Sequence, residues 1–259
     1  MPTPEGPGSV SVAPHLPEGF TGTFTSRYVD TRGNCASMWS PEARPAAAAG
    51  ARMAPELVRL AAGDARAGPG LLRRIDQRGC GLSGKPLGGY DTATLASDLV
   101  ALMDALGHQR FAVAGHGTGM WIGYALAADH PDRVDRLAVA EAAMPAVSPS
   151  PPLFDAVRYY VEALAADPEA LRGSFAAYRA LDATIAQNEQ RKTRGLALPV
   201  LAIGGAEGIG EGAANAMRLA ADDVQSVVIP GCGHYYLEEA SQEILATLTA
   251  FLAPYRESI

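Results

Sequence analysis

The sequence predicts one α/β domain built on a mostly parallel sheet, and three observations carry that reading. Between Phe111 and Ala140 the chain runs strand, tight turn, helix, strand, the βαβ unit of a parallel sheet. A second unit of the same kind closes the chain from Pro199 to about Leu252. The strands of both units (FAVA, RLAVA, VLAIGG) are continuous apolar runs, as strands covered on both faces are. With 259 residues, 48% of them hydrophobic and 19% charged, the chain is long enough to bury one large core.

Taken in order, the elements begin after a Pro/Gly/Ser-rich tail. Phe20 to Val29 (FTGTFTSRYV) is rich in Thr, Phe and Tyr and reads as an antiparallel edge strand or hairpin. Residues Cys35 to Arg74 are mostly Ala, Arg, Gly and Pro, with Val58 as their only β-branched residue. A buried parallel strand should be rich in Val and Ile, so no central strand is expected there. Ala54 to Ala62 reads as a short helix and much of the remainder as low-complexity loop. From Asp98 the spacing in SDLVALMDALG is helical, with Gly107 as its stop. The strand Phe111–Ala114 leads through the turn Gly115–Gly119 into the helix MWIGYALAADHP, which Pro131 ends, and Arg136–Ala140 follows as a strand. Phe154 to Asn188 is helical in period, without strand signals, and is expected to cover the sheet as a lid. Then come the strand from Pro199, a helix near Ala213–Ala221, the strand VQSVVIP and a last helix. The expected division is therefore a core of residues 1–149 (irregular over 35–74) and 196–259, with a lid of 150–195. There are no internal repeats.

A net charge of -7 and a pI near 5.2 argue against nucleic acid, whose partners carry basic patches. No basic and then apolar leader opens the sequence, and no run of about eighteen apolar residues occurs. The expectation is a cytoplasmic protein without a membrane segment. Cys35, Cys80 and Cys232 are scattered and odd in number, so free thiols are expected rather than a disulfide framework or a zinc site. No cofactor is implied.

The segment Ile75–Pro86, IDQRGCGLSGKP, resembles the D-x-R-G-x-G-x-S-x-x-P stretch of α/β-hydrolases of the epoxide-hydrolase and haloalkane-dehalogenase branch. YDTATLASDLVALMDALGHQRFAVAGHGTGMWIGYALAADHPDRVDRLAV, PVLAIGGAE and IPGCGHYYLEEASQEI continue that resemblance. It covers about Ile75 to the C-terminus, and Phe20 to Gly33. It implies an α/β-hydrolase fold: a mostly parallel central sheet with helices on both faces and a shortened helical lid. Such proteins act on small molecules without a cofactor, as monomers or homodimers.

The resemblance also assigns roles. The family places a nucleophile on a sharp strand-to-helix elbow, which here reads Gly115-His116-Gly117-Thr118-Gly119. Gly117 stands where epoxide hydrolases carry Asp and esterases Ser, so the nucleophile position is lost and no ester intermediate can form there. Thr118 begins the helix and would offer its backbone N–H to an oxyanion; His116 reads as a structural turn residue that borders the pocket. His234, in GCGHYY, matches the family's catalytic histidine. Glu207, in GGAE, matches the acid that orients it, and Glu141, after RLAVA, is the alternative acid. A second oxyanion N–H, from a His-Gly after the third strand, has no counterpart before Ile75. Tyr178, with Tyr159 or Tyr160, matches the lid tyrosines that hydrogen-bond the epoxide oxygen; packing against the lid is the alternative for each. Cys232 reads as an inert thiol.

Three functions follow from this set of residues. The first is an epoxide-hydrolase-like protein acting on a small apolar molecule, with covalent hydrolysis in doubt and His234 as a general base. The second is a non-catalytic pseudo-enzyme that binds such a molecule, and the third is the damaged product of an ancestral hydrolase gene. The encoding DNA bears on the last, because a shifted reading frame would account for Cys35–Arg74.

Overall fold

The structure is a computed structural model and describes residues 6–7, 24–31, 35–41, 58–62, 71–80, 83–147, 172–173 and 175–253. In chain order the elements are β1 (Gly6–Pro7), β2 (Phe24–Asp30), β3 (Cys35–Pro41), β4 (Val58–Ala62), β5 (Leu71–Asp76), α1 (Thr92–Ala105), β6 (Phe111–His116), α2 (Thr118–Asp129), β7 (Val134–Ala140), α3 (Ala176–Arg179), α4 (Leu181–Arg191), β8 (Val200–Gly205), α5 (Gly212–Arg218), β9 (Val224–Ile229), α6 (Tyr236–Glu239) and α7 (Ser241–Phe251). The strands form one sheet in the order β1-β2-β3-β5-β4-β6-β7-β8-β9. Strands β6 to β9 are mutually parallel.

The parallel half follows from its side chains. Phe111, Val113, Leu137, Val139, Val200 and Ala202 point into one apolar cluster with α1, α2 and α5. Ala138, Ala140, Leu201 and Ile203 point into a second cluster with the residues of α6 and α7. The period of two along each strand thus meets helices on both faces. Helix α2 is buried almost all round, because it is wedged between the sheet, α1 and α4. Helix α1 begins at Thr92, not at Asp98 as its apolar spacing suggests. The Asp91 carboxylate accepts the Thr94 N–H at 3.1 Å and caps a first turn that periodicity does not reveal.

The stretch Cys35–Arg74 departs furthest from the sequence reading. It supplies β3, most of β5 and the central strand β4, and Val58–Ala62 is a strand rather than part of the expected helix over Ala54–Ala62. Pairing with β5 on one side and β6 on the other imposes an extended backbone on residues whose own preferences are weak. The direction of β4 is unusual for its place, being antiparallel to both neighbours. The link of residues 63–70 explains this, since a parallel return needs a crossover of about a dozen residues or more.

Of the expected lid, the described part ends in α3 and α4, and α4 docks on α1 and α2. Thr92 Oγ1 donates to Gln187 Oε1 at 3.0 Å, and the Arg191 guanidinium meets Asp129 of α2. Arg172 donates to the Lys85 carbonyl at 2.6 Å. Among the described residues no helix is long and apolar enough to cross a membrane.

Candidate active site

The centre of the site is the turn from β6 into α2. Gly117 has φ 58° and ψ -127°, a region that side chains occupy only under strain. Its N–H donates to the Ala140 carbonyl of β7 at 3.0 Å, and its own carbonyl accepts from Met120 N. Gly115 is required for a different reason: a Cβ there would lie 2.1 Å from the Gly119 carbonyl oxygen. The strand-to-helix turn is therefore sharp, with glycine at its apex.

His234 follows β9 on a loop held at both ends. Glu239 accepts from Gly233 N at 2.5 Å and from Tyr235 N at 3.1 Å. Across the sheet, His116 Nε2 lies 2.7 Å from the His234 carbonyl oxygen, so that nitrogen carries the proton and donates. The His116 ring centroid is 4.7 Å from those of His234 and of Tyr236. His116 is thus a tie between the elbow and the histidine loop, a part that a turn residue read from sequence does not disclose.

Of the two carboxylates considered, Glu141 is the one beside the histidine. Its Oε2 lies 3.6 Å from His234 Nδ1, with the Glu141 side chain 1% exposed and that of His234 32% exposed. The spacing is longer than a hydrogen bond. Glu141 Oε1 accepts the Gly205 N–H at 2.5 Å and Oε2 the Ile209 N–H at 3.3 Å. These bonds compensate the burial of a carboxylate. A Cβ on Gly208 would come within 2.4 Å of Glu141 Oε2, so glycine at 208 makes the room. Glu141 itself has φ 57°. Glu207 is exposed, and its backbone N–H donates to the Cys232 carbonyl at 2.9 Å.

The other named residues sit as follows. Thr118 is 4% exposed, and its hydroxyl has no hydrogen-bond partner among the described residues. Tyr178 is exposed at 50% and stands edge-on to Trp121 at 5.8 Å; Trp121 Nε1 donates to the Ala143 carbonyl at 2.7 Å. Tyr159 and Tyr160 lie outside the described residues. Trp121, Tyr236 and Glu239 are the contributors that sequence reasoning missed. Only Glu239 had a local signal, a carboxylate following the GHYY loop. Among the described residues no group of three His, Cys, Asp or Glu side chains could hold a metal ion.

Cys232 is 1% exposed, and burial, reinforced by Glu239 and Glu141, pushes its thiol up to about 11. The thiolate is the reactive form, so alkylation at pH 8 should run about 100-fold slower than for an ordinary thiol, and should rise about tenfold per pH unit until it levels off near pH 11. Timed iodoacetamide labelling of the folded chain, read by peptide mass, checks this. Labelling of Cys232 at the rate of the unfolded chain would contradict it.

The comparisons with known proteins bear on the fold. The family model described as alpha/beta hydrolase fold matches residues 74–193. A putative carbamate hydrolase RutD of Caulobacter sp. is 49% identical over 65 residues, covering 25% of this chain and 24% of that relative; the match spans about a quarter of the length of each. A soluble epoxide hydrolase of Corynebacterium sp. is 25% identical over 231 residues, covering 70% of this chain and 80% of its own. Among solved structures, Cfl2 from Burkholderia cenocepacia superposes with a TM-score of 0.70 at 22% identity, covering 88% of this chain and 96% of its own. Epoxide hydrolase A from Mycobacterium thermoresistibile superposes with a TM-score of 0.65 at 21% identity, covering 89% and 98%. The chain has the alpha/beta hydrolase fold, with epoxide hydrolases among its relatives and structural neighbours.

Proposed function

We propose that this chain is an epoxide-hydrolase-like protein that binds a small apolar molecule beside His234 and forms no covalent intermediate with it. One observation carries the reading: the elbow keeps its bend at Gly117 but presents no side-chain atom, while the His234–Glu141 pair stands assembled nearby. Without an attacking side-chain atom at position 117, the two-step route through an ester formed there is closed. This reading assigns Tyr178, half exposed and edge-on to Trp121, as aromatic surface for the ligand.

The same pair favours a second reading. With Glu141 facing Nδ1, the Nε2 of a neutral His234 is the free base, and it would deprotonate a water directly. A head-to-head assay on a styrene-oxide-like substrate separates the two. Saturable binding without diol supports the first reading; diol formation that His234→Ala abolishes overturns it in favour of the second. Gly117→Asp belongs in the same assay. It puts a Cβ at φ 58°, which costs about 1–3 kcal/mol, and it restores only one member of a set that acts as a unit. We expect little or no hydrolysis from it. Robust turnover in Gly117→Asp, lost again on adding His234→Ala, would show that only the nucleophile was missing.

A further inference from the structure

We infer that the codons for Pro45 to about Arg74 are read one base out of phase, and that the frame beginning one base later encodes an apolar run suited to a buried parallel strand. The inference is independent of the ligand-binding reading. It starts from the run Pro45-Ala46-Ala47-Ala48-Ala49-Gly50. Alanine codons are GCN, so a reading that begins one base later meets CNG at each step, which is leucine, proline, glutamine or arginine. At Gly50–Ala51 the same shift gives GNG, which includes valine. The opposite phase gives NGC throughout the run, which is cysteine, arginine, serine or glycine. Only one of the two alternative frames can therefore encode a buried strand here. In that frame the pairs Ala51–Arg52 and Arg52–Met53 admit histidine and glycine, the pair absent from the sequence before Ile75. Met53–Ala54 then forces TGG, tryptophan, whatever codons were used. No neighbouring pair between Pro45 and Arg74 forces a stop.

The fold gives an independent reason. Strand β4 runs antiparallel to both neighbours, beside the parallel half of β6 to β9, because residues 63–70 are too few for a crossover. In the shifted frame the apolar run lies at codons 45–50 and the next strand stays near Leu71–Ile75. Codons 51–70 between them are long enough for the helix and turns of a right-handed βαβ crossover. The shift thus restores both the apolar composition and the spacing that a parallel strand requires. It also explains why alanine, a weak strand former, is repeated at this point: leucine codons CTG in series read as GCT in series one base early.

Sequencing the encoding DNA on both strands tests this. The expected result is GCT at Ala46 to Ala49, with one base gained (or two lost) between Gly33 and Pro45 and the compensating loss of one base (or gain of two) between Leu71 and Asp76. Codons GCC, GCG or GCA in that run would overturn the inference, because the shifted frame would then read proline, arginine or glutamine, in that order, in place of leucine, and no core strand accepts these in series. As a second measurement, the full chain with its phase restored over these codons is compared with the chain as it exists by limited proteolysis. Cleavage within this stretch should slow at least about tenfold as the strand enters the core. Equal or faster cleavage of the restored chain would contradict the inference, even with the expected codons.

Discussion

Gly115→Ala is expected to destroy the elbow. The added carbon would lie 2.1 Å from the Gly119 carbonyl oxygen, 2.4 Å from its carbonyl carbon and 2.8 Å from Met120 N. All three are backbone atoms of the first turn of α2, so no rotamer change relieves the overlap. The helix must back away from β6, and Met120, Ile122 and Leu126, each at most 1% exposed, would leave their packing with it. A loss of about 4 kcal/mol or more is expected, in the range reserved for core disruption. Gly107→Ala is the control. Gly107 has a positive φ, of 80°, which Gly115 does not, but nothing lies within 4 Å of the new carbon, so only the backbone term of about 1–2 kcal/mol applies. Urea midpoints of the two variants decide the matter, and a Gly115→Ala midpoint equal to that of the control would remove the close approach from the account.

Arg191→Met has the second-largest expected effect, about 3–5 kcal/mol. The Arg191 side chain is 2% exposed, and Nε lies 3.0 Å from both Asp129 carboxylate oxygens. Nη1 donates to Thr92 Oγ1 at 2.8 Å and to Asn188 Oδ1 at 2.9 Å. One guanidinium thereby joins α4 to α1 and α2, and its planar fork fits the carboxylate as no lysine would. Methionine fills much of the volume but leaves the Asp129 carboxylate, 25% exposed, without its main partner. Arg194, 3.7 Å from Asp129 and itself 65% exposed, is a weak substitute because solvent screens it. Thermal melts give the size of the effect. Faster protease cleavage in α4 than in β8 would show that the lid end undocks first; a melt within about 1 kcal/mol of the parent would mean that the network contributes little.

How far the sequence foretold this arrangement depends on whether the signal was local. The units β6–α2–β7 and β8–α5–β9 were legible because apolar runs, glycine turns and helical spacing alternate cleanly from Phe111 to Ile229. The elbow was legible for the same reason, since three glycines in five residues leave few other structures. The choice between Glu141 and Glu207 was not. Both follow a parallel strand, and it is the adjacency of β7 and β8 that sets Glu141 against the N–H of Gly205 and beside His234. The bond from His116 to the His234 carbonyl spans 118 positions, which no periodicity records. Strand β4 was illegible because its own residues do not ask to be a strand: their neighbours in the sheet decide, and its direction follows from the length of a link rather than from any side chain.

The account rests on the absence of an attacking atom at Gly117, and covalent trapping tests that most directly. The folded chain is incubated with an excess of a styrene-oxide-like epoxide and with a haloacetate, quenched in acid and measured by intact mass, then by peptide mapping across Gly115–Gly119. The predicted result is an unchanged mass for that peptide with both reagents, while the same epoxide binds saturably. An adduct on the elbow peptide that maps to Thr118, as the ether its hydroxyl would form, would contradict the account.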